Sequence, residues 1–166
     1  IRACVANRDV SKMESIIQLL TIDYVQSRNA NQRKGGLTAL AATALALGPD
    51  LDTYLFSFVP LIMKSFEDPD NRVAYCACEA MYNITKVARV RILLVFNGVF
   101  DGICRLCEQK SDKDLRNAAH CLDNLLKDVV TETDTFNLDN FLPLLQHHFT
   151  TPSRRTDALI VGWVGV

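Results

Sequence analysis

Apolar positions recur every three to four residues along this chain, in separate blocks rather than one continuous run. Two blocks align without a gap: VAYCACEAMYNITKVA, from Val73, and LRNAAHCLDNLLKDVV, from Leu115. Counting each first residue as zero, offsets 4, 7, 11 and 14 hold Ala77, Ala80, Ile84 and Val87 in one and Ala119, Leu122, Leu126 and Val129 in the other. Such spacing places all four side chains on one face of an α-helix, so each block predicts an amphipathic helix. The same register extends upstream from Arg33, through Leu37, Leu40, Ala44 and Leu47, and downstream from Thr156, through Ile160 and Trp163. The four starts are 40, 42 and 41 residues apart.

A polar lead precedes each block: SRNANQ before Arg33, EDPDN before Arg72, SDKD before Leu115 and TTPS before Arg154. Asp, Asn and Ser offer side-chain acceptors to the unpaired amides of a helix start, and Pro69 and Pro152 fit a helix end or a first turn. Before each lead lies another amphipathic run: MESIIQLLTIDYV, TYLFSFVPLIMKSF, ILLVFNGVFDGICRLC and LDNFLPLLQHHF. Pro60 and Pro143 fall inside two of these first helices, where a proline kinks the rod. Helix pairs repeating at this period are the mark of HEAT-type arrays. The expected fold is therefore all-α, a HEAT/armadillo-type right-handed α-solenoid of about four helical pairs. One array spans 1–166, with approximate units 1–48, 49–89, 90–131 and 132–166. The last unit, ending ALIVGWVGV, stops inside an apolar pattern, which predicts a truncated repeat with an exposed apolar end near Trp163.

Composition supports a folded chain. Apolar residues are 49% of the 166, charged residues 22%, and there are only 7 Gly and 5 Pro, which excludes a disordered or low-complexity sequence. Eighteen basic against 19 acidic residues leave a net charge of -1, without the one-sided basic footprint of a nucleic-acid binder or a polybasic membrane clamp. The longest apolar stretch, allowing threonine, is Leu37 to Leu47, roughly half of what spans a bilayer. A soluble chain is expected, reaching a membrane only through partners.

Candidate chemistry is sparse. Of the six cysteines, Cys76 and Cys78 fall about 200° apart on a helix, and Cys104 and Cys107 lack two further ligands at zinc spacing. Cys4, Cys121 and His120 supply no such pair, so reduced core thiols are expected, and with them a cytosolic or nuclear compartment. Asp68, Asp70 and Glu79 mimic a calcium loop, but Pro69 stiffens it, Arg72 puts a cation at a ligand position and Val73 replaces the needed glycine. His147 and His148 are about 100° apart and cannot chelate together. Asn83 opens a sequon in the middle of a predicted helix. There is no phosphate loop, nucleophile elbow, HExxH or kinase string. No catalytic residue, cofactor or metal is expected. Arg33, Lys34, Gly35 and Gly36 allow an anion-binding helix start, although a tight turn entry with close helix packing is the simpler account.

In a helical array the second helices usually line the inner surface. The positions opposite the buried face are then partner-contact candidates: Tyr75, Glu79, Tyr82, Lys86 and Arg89 in the second unit, and His120, Asn124 and Asp128 in the third. Tyrosine and arginine on a solvent stripe are frequent interface hot spots, and a merely solvated face is the alternative.

The strings RKGGLTALAATALALG, AYCACEAMYNITKVAR, FNGVFDGICRL and LLKDVVTE occur in order from Arg33, Ala74, Phe96 and Leu125. In this the chain resembles the amino-terminal HEAT region of the Vac-fourteen vacuole-morphology scaffold family, from about residue 13 onward. The resemblance implies a non-enzymatic scaffold. Such proteins organise the FYVE-type lipid kinase that makes phosphatidylinositol 3,5-bisphosphate, and the Sac-domain phosphatase that removes its 5-phosphate, on vacuolar or endolysosomal membranes. It further implies that the amino-terminal repeats serve the kinase, while self-assembly and phosphatase docking belong to a carboxy-terminal part. Arg33, Lys34, Gly35 and Gly36 carry the family motif most securely. Thr156-Asp157 departs from it, placing an anion where the family has a cation. A HEAT-type transport adaptor and a passive spacer are the competing readings.

Overall fold

The computed structural model describes residues 1–134, 136–150 and 156–165. Among these the regular structure is entirely helical. Helix α1 is Arg2–Ala6, and α2, Val10–Leu19, runs into a π-helical turn, Leu20–Tyr24. Helix α3 is Ala30–Leu47, followed by a 3-10 turn, Gly48–Thr53, and α4, Leu55–Phe66. Helix α5 is Asn71–Ala88, followed by a second 3-10 turn, Arg89–Val95, and α6, Phe96–Gln109. Then come α7, Lys113–Thr131, α8, Leu138–Thr150, and the short α9, Asp157–Val161.

The polar leads act as caps. Asn29 accepts from the Asn31 amide at 2.8 Å, Asp70 from Arg72 at 2.8 Å and Asp112 from Leu115 at 2.9 Å. Each satisfies an amide that would otherwise be unpaired at the start of α3, α5 or α7. Of the fourth lead, TTPS before Arg154, only Thr150 is described, as the last residue of α8, and the rest lies outside the described residues. Helix α3 stops at Gly48, whose φ of 55° is accessible to glycine without strain. Helix α5 stops at Arg89 with φ 47° and ψ -126°, a sparsely populated conformation that costs a non-glycine residue about 1–3 kcal/mol.

The helices form two layers. Helices α3, α5 and α7 lie side by side in one, α4, α6 and α8 in the other, with α4 leaning on α5 and α6 on α7. Each element touches its neighbours along the array, which is the arrangement of an α-solenoid. Leu37, Leu40, Ala44, Leu47, Ala77, Ala80, Ile84, Ala119, Leu122, Leu126 and Val129 are buried as the register predicts, and Val87 is half-buried. The buried set is wider than one stripe. Val73, Ala74, Cys78, Met81, Thr85 and Ala88 are also enclosed, because α5 is packed by α3, α4 and α7. Phe58, Phe66, Phe96 and Phe100 supply the bulk of the opposite layer, each contributing about 1.5–3 kcal/mol by burial.

Three expectations are corrected. Ile92–Val95 does not open the first helix of the third unit, because the left-handed Arg89 turns the chain into a 3-10 segment and α6 begins at Phe96. The run from Thr53 likewise enters α4 only at Leu55. The end near Trp163 is corrected in part: Val161 and Val164 are exposed as expected, but Trp163 itself is 5% exposed and packs edge-on to Phe96, Phe100 and Phe141 at 5.3, 5.7 and 5.2 Å. Pro60 and Pro143 do lie inside α4 and α8.

Candidate interaction surface

Arg33 is a repeat-to-repeat clasp. Its guanidinium grips both carboxylate oxygens of Asp68, at 2.7 and 3.0 Å, and also donates to the Ser27 and Arg28 carbonyls at 3.0 Å. The hydrogen bond to Asp68 raises its pKa further, holding the cation charged. Asp68 in turn accepts from the Asp70 amide at 2.9 Å, and its carbonyl accepts from Lys110 Nζ at 2.7 Å. One turn thereby ties α3, α5 and α6 together. Of the calcium-like string, the Asp68 and Asp70 carboxylates are taken by these bonds and by the Asp70 cap.

The adjacent glycines differ. Helix α3 begins at Ala30, so Gly35 and Gly36 lie within it, away from the open amides of a helix start. Neither the anion cradle nor the turn entry applies, and the close packing does, at one glycine only. A Cβ on Gly36 would stand 2.8 Å from Tyr24 Cβ and 2.8 Å from the Val25 amide, whereas one on Gly35 meets open space. Lys34 is half-buried beside Gly35.

The predicted stripe divides into two groups. On α5, Tyr75, Glu79 and Tyr82, with Cys78 and Asn83, form one edge of a shallow groove whose α7 side is Ala118 and Cys121, and Lys86 lies outside its lining. Tyr75 hydrogen-bonds to Glu79, which raises the tyrosine pKa. The Lys86 ammonium sits 5.7 Å from the centre of the Tyr82 ring, within cation–π range. These polar groups are held in place by each other before any partner arrives. Arg89 leaves the stripe, since α5 ends before it, and pairs with Glu132 at the end of α7. His120 is half-buried and Asn124 and Asp128 are exposed on α7, none of them lining the groove. Cys121, exposed and at the groove wall, was missed because the pattern treated every cysteine as core.

A larger concavity lies in the other layer. Val59, Pro60 and Met63 of α4, Val90, Leu94 and Val95 of the 3-10 turn, and Phe136 before α8 enclose about 710 Å³. No periodicity could show it, because its wall is the turn that the sequence pattern assigns to a helix.

The remaining chemistry is structural. Cys4, Cys78, Cys104 and Cys107 are buried free thiols, and burial pushes Cys107 up to about 11 and Cys78 and Cys104 up as well. His148 is buried with Nε2 3.0 Å from Asp101. The sequon threonine, Thr85, is fully buried. Among the described residues no group of three or more His, Cys, Asp or Glu is placed to hold a metal, and no helix is long and apolar enough to cross a membrane.

Residues 31–128 match the family described as the Vacuolar 14 Fab1-binding region. The chain is 42% identical over 158 residues to Protein VAC14 homolog of Arabidopsis thaliana, covering 95% of this chain and 21% of that protein. It is 38% identical over 134 residues to the Schizosaccharomyces pombe Protein VAC14 homolog, covering 80% and 16%. To Vacuole morphology and inheritance protein 14 of Saccharomyces cerevisiae it is 34% identical over 163 residues, covering 96% and 18%. The chain thus spans about a fifth of the length of these relatives. No solved structure matches it. The family is one of regulatory scaffolds rather than of catalysts. With its paired helices, its clasped turns and a match over 31–128, the chain belongs to the Vac14 family.

Proposed function

We propose that this chain is a non-enzymatic interaction scaffold that binds or positions a Fab1-type, FYVE-containing phosphatidylinositol 3-phosphate 5-kinase. It does so within the complex that controls synthesis and turnover of phosphatidylinositol 3,5-bisphosphate. The observation that carries this reading is the match of residues 31–128 to a Fab1-binding region, because those residues include all of α5, α6 and the clasped turns. Four repeats, 1–48, 49–89, 90–131 and 132–166, present the stripe of Tyr75, Glu79, Tyr82 and Lys86 with His120, Asn124 and Asp128 beside it. Arg89 acts there through Glu132, by fixing the end of α5 against α7. A preorganised stripe of this kind loses little side-chain freedom on binding.

A Sac-domain 5-phosphatase and further copies of the scaffold engage regions outside these residues. The protein is cytoplasmic and peripheral on vacuolar or endolysosomal membranes, held there by its partners. The test is a pull-down of the full-length protein with residues 31–128 deleted, scored separately for kinase and phosphatase. Selective loss of the kinase supports the reading, and retention of both abandons it. In the same assay, Tyr82→Ala combined with Lys86→Glu reduces kinase recovery about tenfold if the stripe is a hot spot. Undiminished recovery by a folded variant returns the stripe to the role of spacer.

A further inference from the structure

We propose that the concavity between α4, α6 and the Arg89–Val95 turn seats an apolar helical segment of the Fab1-type kinase. The inference rests on the kinase-binding reading above and adds the surface and the chemistry of the contact.

Four observations carry it. Large apolar side chains stand open around one concavity: Leu94 is 65% exposed and Val90 41%, with Pro60 exposed opposite them and Val59 and Phe96 as a buried floor. Scattered exposed apolar residues need no explanation, whereas a contiguous set lining a groove marks an interaction site. Every lining residue from Val59 to Gly98 also falls within the stretch that matches the Fab1-binding family, and only Phe136, Asn137 and Asn140 lie beyond it. The groove wall also follows the α5 stripe directly along the chain, because Lys86 lies in the last turn of α5, which ends at Ala88, and Val90 belongs to the 3-10 turn that comes next.

The fourth observation concerns the backbone. The groove wall is mostly α-helical and 3-10-helical backbone, and no strand occurs among the described residues, so no sheet edge is offered to an extended peptide. An occupant must satisfy its own backbone, which selects a helix. The volume of about 710 Å³ corresponds to somewhat under two turns of helix, for a diameter of about 10 Å and a pitch of 5.4 Å. Met63, an adaptable side chain, forms part of the floor, and a Cβ on Gly98 of α6 would stand 3.2 Å from its methyl. Arg91 is the charged residue of the lining; it is 64% exposed and only loosely paired with Asp52 at 3.3 Å. The occupant is therefore a helix with an apolar face and an acidic side chain that competes with Asp52 for Arg91.

Leu94→Asp in the full-length protein tests this against purified Fab1-type kinase, with Leu94→Met as the conservative variant and thermal melting run alongside. The expected result is a Kd at least tenfold higher for Leu94→Asp, within about threefold of wild type for Leu94→Met, and unchanged melting for both. Wild-type affinity in a folded Leu94→Asp variant overturns the groove while leaving the kinase reading intact. Absence of kinase binding by the wild-type protein overturns both. If Leu94→Asp lowers the melting temperature, a benzophenone crosslinker on Leu94→Cys decides. A crosslink to an apolar helical segment of the kinase upholds the inference, and a crosslink to a second copy of this chain, or none, overturns it.

Discussion

Gly35 and Gly36 are neighbours with opposite consequences. Gly36→Ala drives a methyl into the Val25 backbone, which cannot move aside as a flexible side chain would. The variant should lose about 1–3 kcal/mol in a denaturant titration, net of the helix preference for alanine. Gly35→Ala meets nothing and should gain about 0.5–1 kcal/mol. The thiols provide a second test at this scale. Cys121 is exposed and should react with Ellman's reagent in the native protein, while Cys78, Cys104 and Cys107 react only after unfolding. Burial holds the Cys107 thiol protonated up to about 11, so its contribution to stability is intact below the unfolded thiol range and lost as pH rises from about 8.5 towards 11. The urea midpoint should fall over that window, less steeply in Cys107→Ala.

Between elements, the fold relies on a few buried polar bonds that cross from one repeat to the next. Asp123 on α7 is 1% exposed; it accepts from Trp163 Nε1 at 2.7 Å and from Lys127 Nζ at 2.7 Å, with the ammonium 5.4 Å from the indole centre. Removing one partner of such a group leaves a buried charge or donor uncompensated. Asp123→Ala should cost about 3 kcal/mol by thermal or chemical denaturation, and Trp163→Phe about 1–3 kcal/mol. A double-mutant cycle on Arg33 and Asp68, 16% and 9% exposed, should give a coupling above the roughly 1 kcal/mol ceiling of surface pairs. The exposed Arg91–Asp52 pair should give less than that.

For the whole molecule, the proposed route to a membrane runs through protein partners; the net charge is -1, and among the described residues no helix is long and apolar enough to cross a membrane. The chain should not sediment with anionic phosphoinositide vesicles at physiological salt unless kinase is added; direct sedimentation would reverse the proposed peripheral arrangement.

Sequence alone determined the helical blocks, the capping leads and most of the buried face, because each depends on residues within about fifteen positions of one another, and the spacing of the repeats, because the same block recurs along the chain. It also determined the family, through long colinear strings. Tertiary structure alone decided what Arg33 does, since Asp68 is 35 residues away. The same holds for the need for glycine at 36 but not at 35, and for Trp163 entering an aromatic cluster. It also drew Arg89 off the stripe into a left-handed turn, and so opened beside α5 a groove that no period could reveal. Periodicity records which side of a helix is apolar; which neighbour meets that side, and where two helices leave a gap, is fixed only when the repeats stack.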